Sequence, residues 1–265
     1  MLDFDSIDDW APSLTKALDF VVLPTARTAI AASTPKFIED SKNLLFTLAS
    51  MQPVVDAVLT WLRANSIAAY HGTRLTESET ESIRANGLIP LRAENRKVRL
   101  ARALSSHPRW TEVRLQLDSA IQAHGQGNAA GHRQGQVHFT LSRASLTTSF
   151  NHYLSHGAEF DQHVASKVLG QDGIDLLALD GLPTVIKVAV PGQAALDGAH
   201  PHLGVDDMIH RGEMPNLVSQ FLESWAYKIA RPLHQSRTQN EDCGIQFKST
   251  VPAAWIELIE NVPVV

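Results

Sequence analysis

Cysteine is almost absent from this chain: Cys243 stands alone among 265 residues. No intrachain disulfide can form, and no thiolate cage for zinc can be assembled. Long apolar runs are missing too. Stretches such as Phe20-Val21-Val22-Leu23 fall far short of the length that a membrane-spanning helix needs. The N-terminus lacks a basic segment leading into an apolar one and carries Asp3, Asp5, Asp8 and Asp9 instead. The expectation is a soluble protein that makes no use of a membrane, cytoplasmic or delivered by a dedicated secretion system. Positive charge is not in surplus either: a formal net charge of -5 gives no overall pull towards nucleic acid or anionic lipid. Gly-x-Ser-x-Gly, the P-loop and Gly-x-Gly-x-x-Gly do not occur. His152 and His156 share a helix face, but without the glutamate of an HExxH motif no metal site is expected.

What is present suffices for a folded core. Hydrophobic residues make up 44% and charged residues 19%, which excludes wholesale disorder, and the length fits one large domain or a domain with an appendage. Up to residue 66 the apolar positions Phe37, Leu44, Leu45, Leu48, then Val54, Val55, Val58, Leu59 and Leu62, recur at three- and four-residue steps. This spacing predicts amphipathic helices, divided by Pro24, Pro35 and Pro53. A second region, 67–265, has a different texture. Ile67-Ala68-Ala69-Tyr70-His71-Gly72-Thr73 reads as a buried strand. Thr76 and Glu79 form a capping box for a short helix that stops at Asn86-Gly87.

Residues 92–114 are the one basic stretch, with Arg92, Arg96, Lys97, Arg99, Arg102, Arg109 and Arg114 against Glu94 and Glu112. A solvated helix face accounts for it, and it is also where a polyanionic partner would be sought. Val137-His138-Phe139-Thr140-Leu141 predicts a strand, 149–168 a helix, 184–190 the strongest strand, 194–214 a loop and 217–229 a helix. Two strands, 244–248 and 255–259, close the chain.

The order strand, His71-Gly72-Thr73, capped helix, Gly87-Leu88, then Val137-His138-Phe139-Thr140, Thr147-Thr148-Ser149 and Tyr153 resembles the ADP-ribosyltransferase superfamily of the diphtheria-toxin and PARP type. The similarity extends to the tRNA 2′-phosphotransferases and covers residues 70–153. It implies an α+β fold, a split antiparallel sheet preceded by a helical region at 1–66. It further implies NAD as substrate, bound between the strand of His71 and that of His138, and transfer of a single ADP-ribose to a protein or nucleic acid; by its charge, the basic stretch at 92–114 is where such an acceptor would be sought.

Residue by residue, the resemblance implies that Gly72 grips the nicotinamide carboxamide through its main chain. His71 bonds the adenosine ribose with support from Thr73, and Tyr153 and His138 flank the nicotinamide. Gly87 and Ser149 complete the motif. The acid that such enzymes place near a late strand falls nearest Glu241, with Glu223 or a glutamine at Gln246 as alternatives. Two other readings remain: an RNA 2′-phosphotransferase, which would want pocket arginines such as Arg74, Arg133 or Arg143, and an inactive module that binds ADP-ribose or NAD.

Overall fold

The computed structural model describes residues 1–125, 135–236 and 244–263. Four helices come first: α1 (Ile7–Ala17), α2 (Pro24–Ala31), α3 (Ile38–Leu48) and α4 (Met51–Arg63). Strand β1 (Ser66–Leu75) leads to α5 (Glu77–Asn86), α6 (Ala93–Leu104), α7 (Trp110–Val113) and α8 (Leu117–Gly125). After β2 (Val137–Thr140) come α9 (Arg143–Thr147), α10 (His152–His156), α11 (Glu159–Leu169) and α12 (Gln171–Leu177). Strand β3 (Leu182–Pro191) is followed by α13 (Gly192–Gly198), α14 (Val205–His210) and α15 (Asn216–Ala230). Strands β4 (Gly244–Phe247) and β5 (Ile256–Asn261) end the order.

The architecture is α+β, with one antiparallel sheet in the order β4-β2-β1-β3-β5. Where the resemblance implies a split sheet, these strands form one continuous ladder. No single helix among the described residues is long and apolar enough to cross a membrane.

Compactness divides the chain into two units, 1–69 with 140–145 and 188–246, and 70–139 with 146–187 and 247–265. This division is interleaved, whereas the sequence pattern suggests a single break at 66/67. In the first unit, α4 buries Val54, Val55, Val58, Leu59 and Leu62, the predicted helical stripe. Pro24 opens α2 and Pro53 lies in the first turn of α4, where a missing N–H costs no helical hydrogen bond. Phe4, Trp10, Trp61 and Phe221 pack ring against ring, with centroids 4.9 to 6.4 Å apart. The indole of Trp61 donates to Ser13 Oγ at 3.1 Å and that of Trp225 to Thr15 Oγ1 at 2.9 Å.

In the second unit, α5 starts on the predicted capping box. Glu79 N–H donates to Thr76 Oγ1 at 3.3 Å, and Thr76 N–H to Glu79 Oε2 at 2.9 Å. The helix stops at Gly87, whose φ of 81° lies in the region that favours glycine. An apolar core joins α6, α8, α11 and α12 through Leu100, Leu104, Leu117, Val164, Val168 and Leu177.

Three regions depart from the sequence pattern. The helix predicted over 149–168 is two, α10 and α11, separated at Gly157 with φ 78°. The predicted loop 194–214 holds α13 and α14, short helices whose few buried positions leave little periodicity to read. The basic stretch is not simply a solvated face. Arg96 forms a forked pair with Asp161, its Nε 2.9 Å from Oδ1. Arg99, 8% exposed at its side chain, reaches Glu79 Oε1 at 3.0 Å and the Arg74 carbonyl at 2.8 Å. Arg102 donates to Glu79 Oε1 at 3.1 Å and to both carboxylate oxygens of Asp180, at 2.9 and 2.8 Å. Burying Asp161, 1% exposed, is tolerable only because it is matched in this way.

Burial works against ionisation of Glu79. Arg99, the Thr76 amide and Arg102 overcome it and hold the carboxyl at about 2, down from 4.5. The folded-state value lies below the unfolded one, so Glu79 stabilises the fold above pH 4.5 and loses that contribution as pH falls towards 2. We expect Glu79→Gln to lower the melting temperature at neutral pH, and the gap from wild type to close between pH 4.5 and 2. A gap that stays constant across that window in thermal melts would contradict the assignment.

Candidate functional site

Apart from Thr140, the described residues of the motif lie in the second unit, on β1, on β2 and around α5, α9 and α10. Along β1, His71 and Thr73 are half-buried while Gly72 and Arg74 are buried, the alternation of a strand with two unlike faces. The His71 ring meets Phe139 edge-on at 5.8 Å between centroids. Phe139 in turn meets Phe247 at 6.0 Å, and Phe247 meets Trp255 at 5.7 Å. An aromatic row therefore runs from His71 across β2 to β4.

His71 Nδ1 lies 2.8 Å from the carbonyl oxygen of His138. A carbonyl accepts only, so Nδ1 carries the proton and Nε2 of the neutral ring is left as an acceptor. Burial pushes the imidazole below its ordinary 6.5, and Arg96 adds to that, against the opposing pull of the His138 carbonyl. The ring is therefore neutral at pH 7.

The two histidines meet through ring and main chain, not ring to ring. Alternation turns the His138 side chain to the face opposite Phe139, and His71 shares the Phe139 face. Strands β1 and β2 are hydrogen-bonded neighbours, so the cleft expected between them does not exist. A ligand at these residues would lie over a face of the two strands.

Gly72 allows close packing. A Cβ there would come 3.0 Å from Leu146 and 3.5 Å from Leu154, so α9 and α10 rest directly on β1. Arg74 fixes that contact. Its Nη1 donates to the Leu154 carbonyl at 3.0 Å and its Nη2 to that of Gly181 at 2.7 Å. Helix α10 thus lays Leu154 against Gly72, and Tyr153 is its neighbour on that helix. The Tyr153 hydroxyl donates to Glu159 Oε1 at 2.9 Å, and His152 Nε2 lies 3.2 Å from the same oxygen. The His152 and Tyr153 rings stand 4.1 Å apart, tilted by 38°.

Other expected residues are placed differently. Gly87 serves the fold: a Cβ would fall 2.0 Å from the Val251 carbonyl oxygen, so its bareness admits a neighbouring chain segment. Ser149 is exposed in the turn between α9 and α10. Glu241, like Arg133 and Cys243, lies outside the described residues. Glu223 belongs to the first unit, where it pairs with Lys42 and accepts from Ser219 Oγ at 3.1 Å. Gln246 is half-buried on β4. Arg74, wanted for phosphate in the phosphotransferase reading, is 7% exposed and engaged by main-chain carbonyls. The Arg143 amide donates to Asp5 Oδ2 at 2.9 Å. No metal-binding group of three or more His, Cys, Asp or Glu occurs among the described residues.

Glu159 had no signal of its own. It lies six positions after Tyr153, a separation that does not share a helix face, and only the break at Gly157 folds it back. A cavity of about 240 Å³ is lined by Asp8, Pro12, Thr15, Trp225 and Lys228 of the first unit and contains no motif residue, so the chemistry of the side chains, not cavity size, singles out the site. Comparison with models of protein families, with curated protein sequences and with solved structures gave no match.

The tautomer of His71 is open to direct measurement. In ¹⁵N NMR of the imidazoles, His71 should be neutral at pH 7 with the proton on Nδ1, and its midpoint should fall below 6.5. A proton on Nε2, or a midpoint above that value, would contradict the geometry.

Proposed function

We propose that the chain is an NAD-dependent enzyme that transfers a single ADP-ribose to a macromolecular acceptor, on a fold of the ADP-ribosyltransferase type. The observation that carries this reading is the conjunction at β1. A neutral His71 with its acceptor nitrogen fixed by the His138 carbonyl stands beside Gly72, against which Leu154 packs from α10, the helix that also carries Tyr153.

NAD supplies the reactive carbon, C1′ of the nicotinamide ribose, which becomes oxocarbenium-like as nicotinamide leaves. Such chemistry needs orientation and a nearby negative charge more than a strong nucleophile. His71 Nε2 accepts a hydrogen bond from a ribose hydroxyl, Thr73 supports it, and Tyr153 offers its ring to nicotinamide. The Gly72 main chain holds the carboxamide. Glu241 remains the candidate acid, because Glu223 is engaged by Lys42.

The acceptor is a protein or nucleic acid. Of the basic stretch, Arg96, Arg99 and Arg102 are drawn inward by Asp161, Glu79 and Asp180, which leaves the exposed Arg92 and Arg114, with Lys97 and Arg109 in surface pairs with Asp118 and Glu112, to meet it. Without an acceptor, water takes its place and NAD is hydrolysed. The engagement of Arg74 by carbonyls speaks against the phosphotransferase alternative.

Calorimetry with NAD tests the premise. Wild type is expected to bind and to release nicotinamide when protein or nucleic acid acceptors are supplied. His71→Ala should bind about tenfold more weakly, the effect of one lost hydrogen bond in a half-buried site. A wild-type chain that neither binds NAD nor releases nicotinamide would overturn the enzyme reading in favour of a binding module.

A further inference from the structure

The cluster at α10 and α11 carries more than a stacking ring. Glu159 Oε1 receives the Tyr153 hydroxyl at 2.9 Å and faces His152 Nε2 at 3.2 Å, so one carboxylate fixes the outer edge of the tyrosine. His152 packs against the Tyr153 ring at 4.1 Å, so a ligand ring stacks on the face turned away from it. The side chains of His152 and Glu159 are 36% and 34% exposed, accessible to solvent and to a ligand.

A tyrosine ring whose hydroxyl donates to a carboxylate is richer in electrons than a free one. It presents a negative face with a full negative charge at its rim, an arrangement suited to a planar cation. The nicotinamide of oxidised NAD is such a ring, a pyridinium with one positive charge. In reduced NAD the same ring is an uncharged dihydropyridine of nearly the same outline.

We propose that Glu159 is a specificity-determining residue that makes the Tyr153 platform select a positively charged planar ring, and so oxidised over reduced NAD. The inference rests on the reading that Tyr153 is the stacking residue of an NAD site. The carboxylate acts through charge, and the bond to Tyr153 holds it at the ring edge.

The experiment is calorimetric titration of the full chain with oxidised NAD, reduced NAD, 1-methylnicotinamide and nicotinamide, on wild type, Glu159→Gln and Glu159→Asp. Glutamine keeps an acceptor oxygen for Tyr153 and removes the charge. Wild type is expected to prefer oxidised NAD to reduced NAD, and 1-methylnicotinamide to nicotinamide, by about tenfold, the scale of one charge contact in a partly solvated site. Glu159→Gln should lose that preference by weakening only the cationic ligands, and Glu159→Asp should keep most of it. The inference is overturned if Glu159→Gln leaves the preference intact or weakens charged and uncharged ligands alike, the mark of a purely structural role. Should glutamine prevent folding, the aspartate variant decides: loss of the preference with the charge retained overturns the proposal. A wild type that binds none of these ligands would overturn the NAD reading itself, an outcome distinct from the others.

Discussion

The second unit depends on the matching of charges that folding removes from water. Arg74, Arg96, Arg99 and Arg102 meet Glu79, Asp161, Asp180 and a set of main-chain carbonyls, and each contact joins elements far apart in sequence. The end of β1, the start of α5, the length of α6, the C-terminal carbonyls of α10 and the first turn of α11 are tied to one ionic assembly. Leaving any of these charges unmatched would be costly, so the assembly fixes which helix faces can lie on the strand. The segment His71-Gly72-Thr73 precedes Arg74 directly and inherits that rigidity.

From that constraint the candidate site follows. Arg74 grips α10, whose Leu154 lies in contact distance of position 72 while Leu146 of α9 sits tighter against it, and Tyr153 is on the same helix. Because Nδ1 of His71 is committed to the His138 carbonyl, Nε2 is an acceptor with a fixed direction, and burial keeps it neutral. Such preorganisation suits a reaction limited by the orientation of a departing ring more than by nucleophile strength. Glu159 adds a charge at the ring edge.

Local signals were legible in the chain. The capping box of Thr76 and Glu79, the stop at Gly87, strand β1 and the helical stripe of α4 all occur where short-range rules place them. Long-range pairings were not legible. Arginines at 96, 99 and 102 look like a solvated face until Asp161 and Asp180, about sixty and eighty residues later, fold against them. The prediction of a ligand cleft between β1 and β2 failed for the same reason: strand order is a tertiary property, and neighbouring strands close the gap. The His71 tautomer depends on a carbonyl sixty-seven residues away, and the role of Glu159 on the turn at Gly157.

The central claim is that the His71-Gly72-Thr73 segment and Tyr153 hold NAD together. A crystal structure of the full chain grown with saturating NAD tests it most directly. The account predicts the nicotinamide ring stacked on Tyr153, its carboxamide on the Gly72 main chain, and His71 Nε2 within hydrogen-bond distance of a ribose hydroxyl. NAD bound elsewhere, with His71 Nε2 turned to a protein group, would contradict it.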